Sequence, residues 1–388
     1  MEGRKEGGTS WGKTDPPEGS PGAKKSLEWR AVGVRREDTE RAYRIPMRIE
    51  SKFRHEFPRR LVAWYHDHAA DLPWRRSPDP YSVLVSEFML QQTRVATVVA
   101  HYRRWMERFP DFFALAAASE EEVLRLWEGL GYYARARNLH RVARLLVAER
   151  RGRLPSRPKE LALLPGIGRY TAGAVASLAF GKRVPLVDAN VRRLFLRLFS
   201  LSEEAGGNRL WEVAESLLPA SRDCAAYNSA LMEMGRTICR PQKADCPLCP
   251  VADLCRSRGR RSSPVRKSSS TRCEESAALL VREGRIWLEP SGRERYRGFW
   301  RLPELDSARM KSLGEACRLV YSITRYRVSL TVFWADWQDE ASGQGRWFGR
   351  EELPSLPLPT PHRRALDRVL PHAPSEPGEA FALPLVLR

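Results

Sequence analysis

The sequence predicts a mainly α-helical region followed by a smaller α+β domain. Apolar residues recur at helical spacing from about residue 57 to 240, with short connections between the helical runs. Beyond a stretch rich in serine, arginine and lysine, 256–276, which we interpret as a basic linker, apolar residues alternate as they do in strands. A chain of 388 residues with 42% hydrophobic content is long enough to bury the two cores that this division requires.

The N-terminal segment has the composition of a tail. Residues 1–46 are rich in glycine, proline and charged residues and lack apolar periodicity, so we expect them to be disordered. Periodicity begins at Met47, which we interpret as the natural first residue. No segment has the apolar centre of a signal peptide or the length of a membrane span. We therefore predict a cytoplasmic protein without a membrane partner.

The net charge indicates the class of partner. The formal charge is +19 and the isoelectric point is near 10.0. Such a balance fits a phosphate polymer better than a small metabolite. Solubility alone, or adhesion to an anionic membrane, remains an alternative at this point.

A carboxylate interrupts the first strongly apolar helix that the pattern predicts. Glu87 lies between Val85 and Phe88 in "YSVLVSEFMLQQTRVATVVAHYRRW", which we predict as one helix. The acid lies either on the solvent face of this helix or within the core. Burial would raise its pKa towards the range in which it donates a proton at neutral pH.

The next segments contain turns with recognisable chemistry. Ser119 and Glu122 have the spacing of a capping box, and Gly129 and Gly131 end the helix that follows. In "LLPGIGRYTAGAVAS", residues 163–177, two glycines bracket an apolar residue between helices. Gly166 and Gly168 would allow positive φ and expose the first N–H groups of the next helix to a phosphate oxygen. The alternative is an ordinary tight turn between helices.

A second carboxylate precedes a helix start. Asp188 in "VPLVDANVRRLFLRLF" follows an apolar run, and its simplest role is that of an N-cap. Together with Glu87 it forms a pair in different surroundings. Such a pair can divide into a proton donor and a fixed anion.

Four cysteines crowd into one segment with the spacing C-x6-C-x2-C-x5-C. Cys239, Cys246, Cys249 and Cys255 indicate ligation of a metal or cluster in a reducing compartment. The single C-x-x-C pair suits zinc poorly, whereas four unevenly spaced thiolates can hold a cubane iron–sulfur cluster; the spacing alone leaves the metal open. The intervening Arg240 and Lys243 could face DNA phosphates, or the segment could be a structural staple only.

The pattern of the C-terminal region predicts a small α+β domain. The pattern predicts a hairpin around Glu283 and Gly284, a strand over "RVSLTVFWADW" and a helix over "TPHRRALDRVL". Thr360 is the predicted cap of that helix, and Pro361 its first residue.

Several motifs together resemble one family. "LPGIGRYTAG", "VDANV" and the cysteine spacing are similar to the helix-hairpin-helix DNA glycosylases of the endonuclease III superfamily. "LPWR" (72–75), "SEFMLQQTRVATV" (86–98) and "GLGYYARARNL" (129–139) narrow the resemblance to adenine DNA glycosylases of the MutY type. The match is dense over about 57–255.

The resemblance implies a division of residues 47–255. A six-helix lobe with the helix-hairpin-helix turn would span about 74–185, and a lobe built from 47–73 and 186–255 would hold a 4Fe–4S cluster on the four cysteines. DNA and an extruded adenine would lie in the cleft between the lobes.

The resemblance also assigns roles. Glu87 would protonate adenine at N7 and then handle the water, while Asp188 would stabilise the oxocarbenium-like sugar and Asn190 would orient the pair. Tyr170 stands where bifunctional relatives carry a nucleophilic lysine, which implies a monofunctional enzyme. The remaining implied contacts to substrate or DNA are Trp74, Arg75, Gln92, Thr93, Tyr132, Gly166, Gly168, Arg240 and Lys243.

Gln92 and Tyr132 would fill the duplex when the adenine leaves, and Trp74 and Arg75 would line its pocket. For Trp74 and Tyr132 a plain core position is the alternative.

The C-terminal part, 277–388, resembles the MutT-like domain with which the family reads 8-oxoguanine, through "RYRGFWRLPEL" (295–305). It departs where relatives have Phe-Ser-His, because this chain has Thr324, Arg325 and Tyr326. The departure leaves the opposing-base preference open.

The predicted function is therefore hydrolysis of the N-glycosidic bond of adenine opposite 8-oxoguanine or guanine in double-stranded DNA. We expect a nucleoid-associated monomer. A thymine-DNA glycosylase at G:T mismatches and a catalytically silent mismatch-binding protein are the alternatives.

Overall fold

This computed structural model describes residues 49–76, 78–202, 207–258, 271–292, 296–306, 310–323, 326–337 and 344–372. The predicted tail lies outside the described residues, as do Met47, Thr324, Arg325 and most of the predicted linker. Within the described ranges no helix is both long and apolar enough to cross a bilayer.

The first region is helical, as the periodicity predicts. Its helices are α1 (Ser51–His68), α2 (Pro73–Arg76), α3 (Pro80–Leu90), α4 (Val95–Arg108), α5 (Phe112–Ala117), α6 (Glu120–Trp127), α7 (Ala134–Arg150), α8 (Pro158–Leu161), α9 (Arg169–Leu178), α10 (Ala189–Phe199), α11 (Asn208–Ser216) and α12 (Ser221–Thr237). Two of these helices, α2 and α8, have four residues each and are single turns.

The single helix predicted around Glu87 is wrong. α3 ends at Leu90, and α4 begins only at Val95. The break is at Gln92, whose φ of 57° lies in the left-handed region that a helix cannot contain. The capping interaction at Ser119 is present, since its hydroxyl accepts the Glu122 N–H at 3.1 Å.

Two separate cores organise the helices. The first draws on α2 to α9, from Leu72 to Ala176. The second draws on α1 and on residues 186–251. α9 lies between them, because Val175 packs into the first core and Ala174 into the second. The groove between the cores is therefore bordered by α9 and by the segments that flank it.

The C-terminal region contains two small sheets. The strands are β1 (Thr271–Leu279), β2 (Val281–Arg282), β3 (Arg285–Pro290), β4 (Trp300–Arg301), β5 (Met310–Ile323), β6 (Tyr326–Trp337) and β7 (Arg346–Phe348), followed by α13 (Thr360–Val369). One sheet has the order β1-β6-β5, with β1 parallel to β6; the other has β2-β3-β4, with β7 paired to β3.

The predicted elements of this region are largely present. The hairpin turn is Glu283-Gly284, with φ of 50° and 70°. β1 begins at Thr271, inside the stretch predicted as linker, because it pairs in parallel with β6. The predicted cap of α13 is off by one residue, since Pro359 is the N-cap and Thr360 is already helical.

The sheet region packs directly on the helices. The Tyr133 and Phe299 rings have centroids 4.3 Å apart, and Phe299 is part of the first core. Arg363 of α13 donates from Nε and Nη2 to the Glu128 carboxylate at 2.9 and 3.1 Å. The C-terminal region is thus attached beside the loop that carries Tyr132.

Candidate active site

A cavity of about 1190 Å³ opens between the two helical cores. Its walls include α3 and the turn after it, the start of α9, the start of α10 and the middle of α12. The predicted residues that line it are Trp74, Arg75, Glu87, Gln92, Thr93, Gly168, Tyr170, Asp188 and Asn190. The structure therefore brings the four predicted catalytic residues and five of the predicted substrate or DNA contacts to one place.

Glu87 is buried, so its placement on a solvent face is wrong. The residue is 4% exposed and lies on α3 among Val85 and Phe88, which are fully buried. Its Oε2 atom has no hydrogen-bond partner within the described part of the chain. Burial raises the pKa of Glu87 from 4.5 to about 7; the Tyr170 hydroxyl opposes this shift, and the charge of Asp188 adds to it.

Asp188 is the N-cap of α10, as the sequence indicates. Its Oδ1 accepts the Val191 N–H at 2.7 Å, and its Oδ2 accepts from Asn190 Nδ2 at 2.9 Å. Burial raises the pKa of Asp188, while these hydrogen bonds lower it. Because the helix N-terminus also favours negative charge, Asp188 is the better anion of the pair and Glu87 the better acid.

A chain of hydrogen bonds extends from Asp188 to the cysteine segment. Asn190 Oδ1 accepts from Arg193 Nη2 at 2.9 Å. Arg193 Nε donates in turn to the Cys239 carbonyl at 2.9 Å, and Nη2 also donates to the Gly235 carbonyl. Sequence reasoning missed Arg193, whose role depends on contacts across 42 and 46 positions.

Tyr170 is a neutral phenol beside both carboxylates. Its hydroxyl donates to the Met232 sulfur at 3.3 Å. Burial, together with the charges of Glu87 and Asp188, raises the pKa of Tyr170 well above its ordinary value. It therefore remains protonated throughout the neutral range.

The far wall of the cavity contains an acid that sequence reasoning missed. Glu233 on α12 is 2% exposed; its Oε2 is 3.0 Å from Arg75 Nη2, and its other oxygen accepts from Arg236. The available signal was the same as for Glu87, an acid among apolar residues in "SALMEMG". Trp74 belongs to the first core and also lines the cavity, with its ring in edge contact with Tyr102.

The two residues expected to enter the duplex share an uncommon backbone conformation. Gln92 has φ of 57° and Tyr132 has φ of 50°, although neither is glycine. Tyr132 is 52% exposed, so a plain core position is wrong for it. It does not line the cavity, whereas Gln92 and Thr93 do.

The turn before α9 differs in one respect from expectation. Gly166 has φ of 76°, and a Cβ there would lie 2.8 Å from Asn138 Nδ2. Gly168 is instead extended, with φ of −84°, and is the N-cap of α9. Gly168 has no side chain that could accept from the first N–H groups of α9, and within the described ranges this helix has no side-chain cap.

Three of the four cysteines, Cys239, Cys249 and Cys255, lie in or against the second core. Cys239 is buried, and Arg197 Nη1 contacts its sulfur at 3.3 Å. Burial raises the pKa of Cys249 to about 11, with smaller contributions from the other three thiols, which shows that the four are neighbours. No three His, Cys, Asp or Glu side chains in the described ranges surround a single metal-ion position. Arg240 and Lys243 are both exposed.

Comparison with known proteins defines the class. The family model described as "HhH-GPD superfamily base excision DNA repair protein" matches residues 85–219. The solved structure of a thermostable thymine-DNA glycosylase superposes with a TM-score of 0.50 and is 33% identical, over 53% of this chain and 96% of that one. The helical region therefore has the fold of a helical base-excision DNA glycosylase.

Sequence relatives narrow the class to one family. The adenine DNA glycosylase of Mycobacterium tuberculosis is 42% identical over 206 residues, which are 52% of this chain and 67% of the relative. The human adenine DNA glycosylase is 45% identical over 213 residues. This chain belongs to the adenine DNA glycosylase family. It covers only 39% of the human relative, 42% of the rat one and 41% of the mouse one.

Proposed function

We propose that this protein is a monofunctional glycosylase that hydrolyses the N-glycosidic bond of adenine opposite 8-oxoguanine or guanine. One observation carries the proposal: buried Glu87, whose Oε2 has no hydrogen-bond partner among the described residues, shares a cavity with Asp188, which is held at a helix N-terminus. The cavity is large enough for an extruded nucleoside. The two cores that flank it are the basis on which we divide the helical region into two lobes.

Glu87 supplies the proton. A pKa of about 7 leaves much of the carboxyl protonated at neutral pH. Proton transfer to the purine converts a poor leaving group into neutral adenine, and Oε2 needs no existing hydrogen bond to break first. The resulting carboxylate can then accept a proton from the water that attacks the sugar.

Asp188 stabilises the positive charge that develops on the sugar as the bond breaks. Its two oxygens are held by the Val191 N–H and by Asn190, so the carboxylate is oriented before substrate binds. The Asn190–Arg193 hydrogen bond fixes the amide in turn. Water adds to the cationic carbon, and its proton passes to Glu87.

Tyr170 supports the monofunctional assignment. A phenol cannot form the Schiff base by which lysine-dependent enzymes cleave the strand. Because its pKa is raised well above the ordinary value, it is also a poor nucleophile at neutral pH. We assign it to hydrogen bonding near Glu87, whose pKa it lowers.

Double-stranded DNA with A:8-oxoguanine or A:G mispairs is the proposed partner. The uncapped start of α9 after Gly166 offers N–H donors for a backbone phosphate. Arg240 and Lys243 are exposed cations. Gln92 and Tyr132 are presented on turns, where they can fill the space of an extruded base.

The cysteine segment is proposed to hold a 4Fe–4S cluster. The four thiols are neighbours, and their uneven spacing along the chain suits a cubane cluster. Cys239, Cys246, Cys249 and Cys255 would hold it, and the cluster would stiffen the segment that presents Arg240 and Lys243. No chemical step requires it.

The C-terminal region is proposed to read the opposing base. The strand ends on either side of 324–325 are paired, Ile323 with Tyr326, and Ile323 packs against the first core. This end of the sheet therefore faces the helices that carry the cavity. We place Thr324, Arg325 and Tyr326 in that role.

The test uses three duplexes, with A opposite 8-oxoguanine, A opposite G, and T opposite G, each analysed with and without alkali. We expect strand scission only after alkali and only at A. Scission without alkali would contradict the monofunctional assignment, and scission at T would favour the thymine alternative. Binding without base release, unchanged by Glu87→Gln, would show a silent mismatch binder.

A further inference from the structure

One buried arginine connects the two turns that carry the proposed duplex-filling residues. Arg135 is the second residue of α7 and is 5% exposed. Its guanidinium donates at 2.6–3.2 Å to six oxygens, which are the carbonyls of Phe88, Met89, Gln91, Leu130 and Gly131 and the hydroxyl of Thr93.

These partners fall into two groups. Phe88, Met89, Gln91 and Thr93 belong to the end of α3 and the turn that contains Gln92. Leu130 and Gly131 belong to the loop that contains Tyr132, and the Thr93 hydroxyl also lies 3.4 Å from the Leu130 carbonyl. The turn and the loop are joined through one side chain.

The arrangement is unusual for a buried cation. Arg135 has no carboxylate partner among the described residues, and burial lowers its pKa to about 10, so it stays charged at neutral pH. Six carbonyl oxygens, including that of Tyr132 at 3.4 Å from Nε, and the face of Trp127, 5.2 Å away, provide the compensating negative potential. Such a charge is tolerated only where its hydrogen bonds are satisfied together.

The two joined segments each hold a non-glycine residue at left-handed φ. That conformation costs free energy and persists only where surrounding contacts impose it. Gln91 accepts from Arg135 immediately before Gln92, and Gly131 accepts immediately before Tyr132. The guanidinium therefore acts at the bond next to each strained residue.

We propose that Arg135 is a positioning residue that holds Gln92 and Tyr132 as one preformed wedge for base extrusion. This inference rests on the proposed function, because the wedge matters only if a base leaves the duplex. A preformed wedge removes the need to order two loops during extrusion, a step that already requires unstacking.

The test compares Arg135→Lys with Arg144→Lys, an exposed position on the same helix. Lysine keeps the charge but cannot reach both turns with one planar fork. Extrusion is followed by the fluorescence of 2-aminopurine placed at the target position, and base release by single-turnover rates on the A:8-oxoguanine duplex. We expect Arg135→Lys to reduce both by about tenfold or more, with undamaged-duplex affinity near wild type and Arg144→Lys unchanged.

A second substrate separates positioning from general damage to the fold. In a duplex with adenine opposite an abasic analogue, the target is less stacked, so the variant should recover most of its deficit relative to wild type. An equal deficit on both duplexes, or wild-type extrusion by Arg135→Lys, would overturn the proposal. If the lysine variant does not fold, Thr93→Val removes one Arg135 contact and should show a smaller deficit with the same recovery.

Failure of the proposed function is visible separately. A wild-type protein that extrudes 2-aminopurine but releases no adenine would contradict the glycosylase proposal. The proposal that Arg135 positions Gln92 and Tyr132 would still be tested, by comparing extrusion in Arg135→Lys and Arg144→Lys.

Discussion

Two walls of the cavity each contain a buried glutamate, and the two glutamates differ in their hydrogen-bond and ion-pair partners. On the α3 wall, Glu87 has one oxygen without a partner in the part of the chain that the structure describes, and its pKa is raised to about 7. On the α12 wall, Glu233 is equally buried but is bound by Arg75 and Arg236. The two acids therefore differ in their partners rather than in their burial: two guanidinium groups bind Glu233, whereas among the described residues no group contacts Glu87 Oε2.

The largest effect is expected from Glu87→Gln, which removes the proposed proton donor. The amide fills the same volume but cannot donate a carboxyl proton, so base release from A:8-oxoguanine should fall by about 10²–10⁴-fold. Affinity for the duplex should stay near wild type. Single-turnover excision and a binding titration measure the two quantities, and retention of the rate would remove Glu87 from the chemistry.

Asp188→Asn removes the fixed anion while keeping a good N-cap. We expect the excision rate to fall by about 10²–10³-fold. The melting temperature should change little, because asparagine can still accept the Val191 N–H. Asp188→Ala serves as the control that loses both roles; a large loss of stability in the asparagine variant would mean that the residue acts mainly through the fold.

Glu233→Gln should lower the stability of the protein, whereas Glu87→Gln should lower the rate of base release. Losing the charge between Arg75 and Arg236 should lower the free energy of unfolding by about 1–3 kcal/mol, at the lower end because both arginines are partly exposed. Glu87→Gln removes no ion pair and should not destabilise the protein. Chemical denaturation of the two variants checks this; equal destabilisation would erase the distinction between the walls.

The pH dependence of stability should also differ between wild type and Glu87→Gln. The folded pKa of Glu87 is about 7 and its ordinary value is 4.5, so the folded state binds the proton more tightly than the unfolded chain. This residue's contribution therefore becomes less favourable as pH rises from about 4.5 to 7, by at most about 1.4 kcal/mol per pH unit. A difference between the two proteins that is constant over this range would contradict the raised pKa.

The sequence indicates which acidic residues could carry the chemistry of the cavity, but it does not indicate which residues they contact. Glu87 stands out because an acid interrupts an apolar run, and Asp188 because it precedes a helix start; both signals are local. Arg75 pairs with Glu233 across 158 positions, and no periodicity indicates such a contact. Arg135 and Arg193 were missed for the same reason.

The element boundaries that the sequence predicts wrongly also depend on tertiary contacts. The break between α3 and α4 has neither glycine nor proline in "LQQTRV", and the contacts of Arg135 hold it. β1 begins among polar residues that are not buried, and its strand conformation depends on its parallel pairing with β6. Local pattern cannot report either constraint.

The most direct test of the account is an infrared titration of the Glu87 carboxyl, taken as the difference between wild type and Glu87→Gln, without DNA. We predict a protonated carboxyl signal that persists into the neutral range and disappears with a midpoint near pH 7. A midpoint near the ordinary glutamate value of 4.5 would leave the cavity without a proton donor at neutral pH and contradict the proposed mechanism.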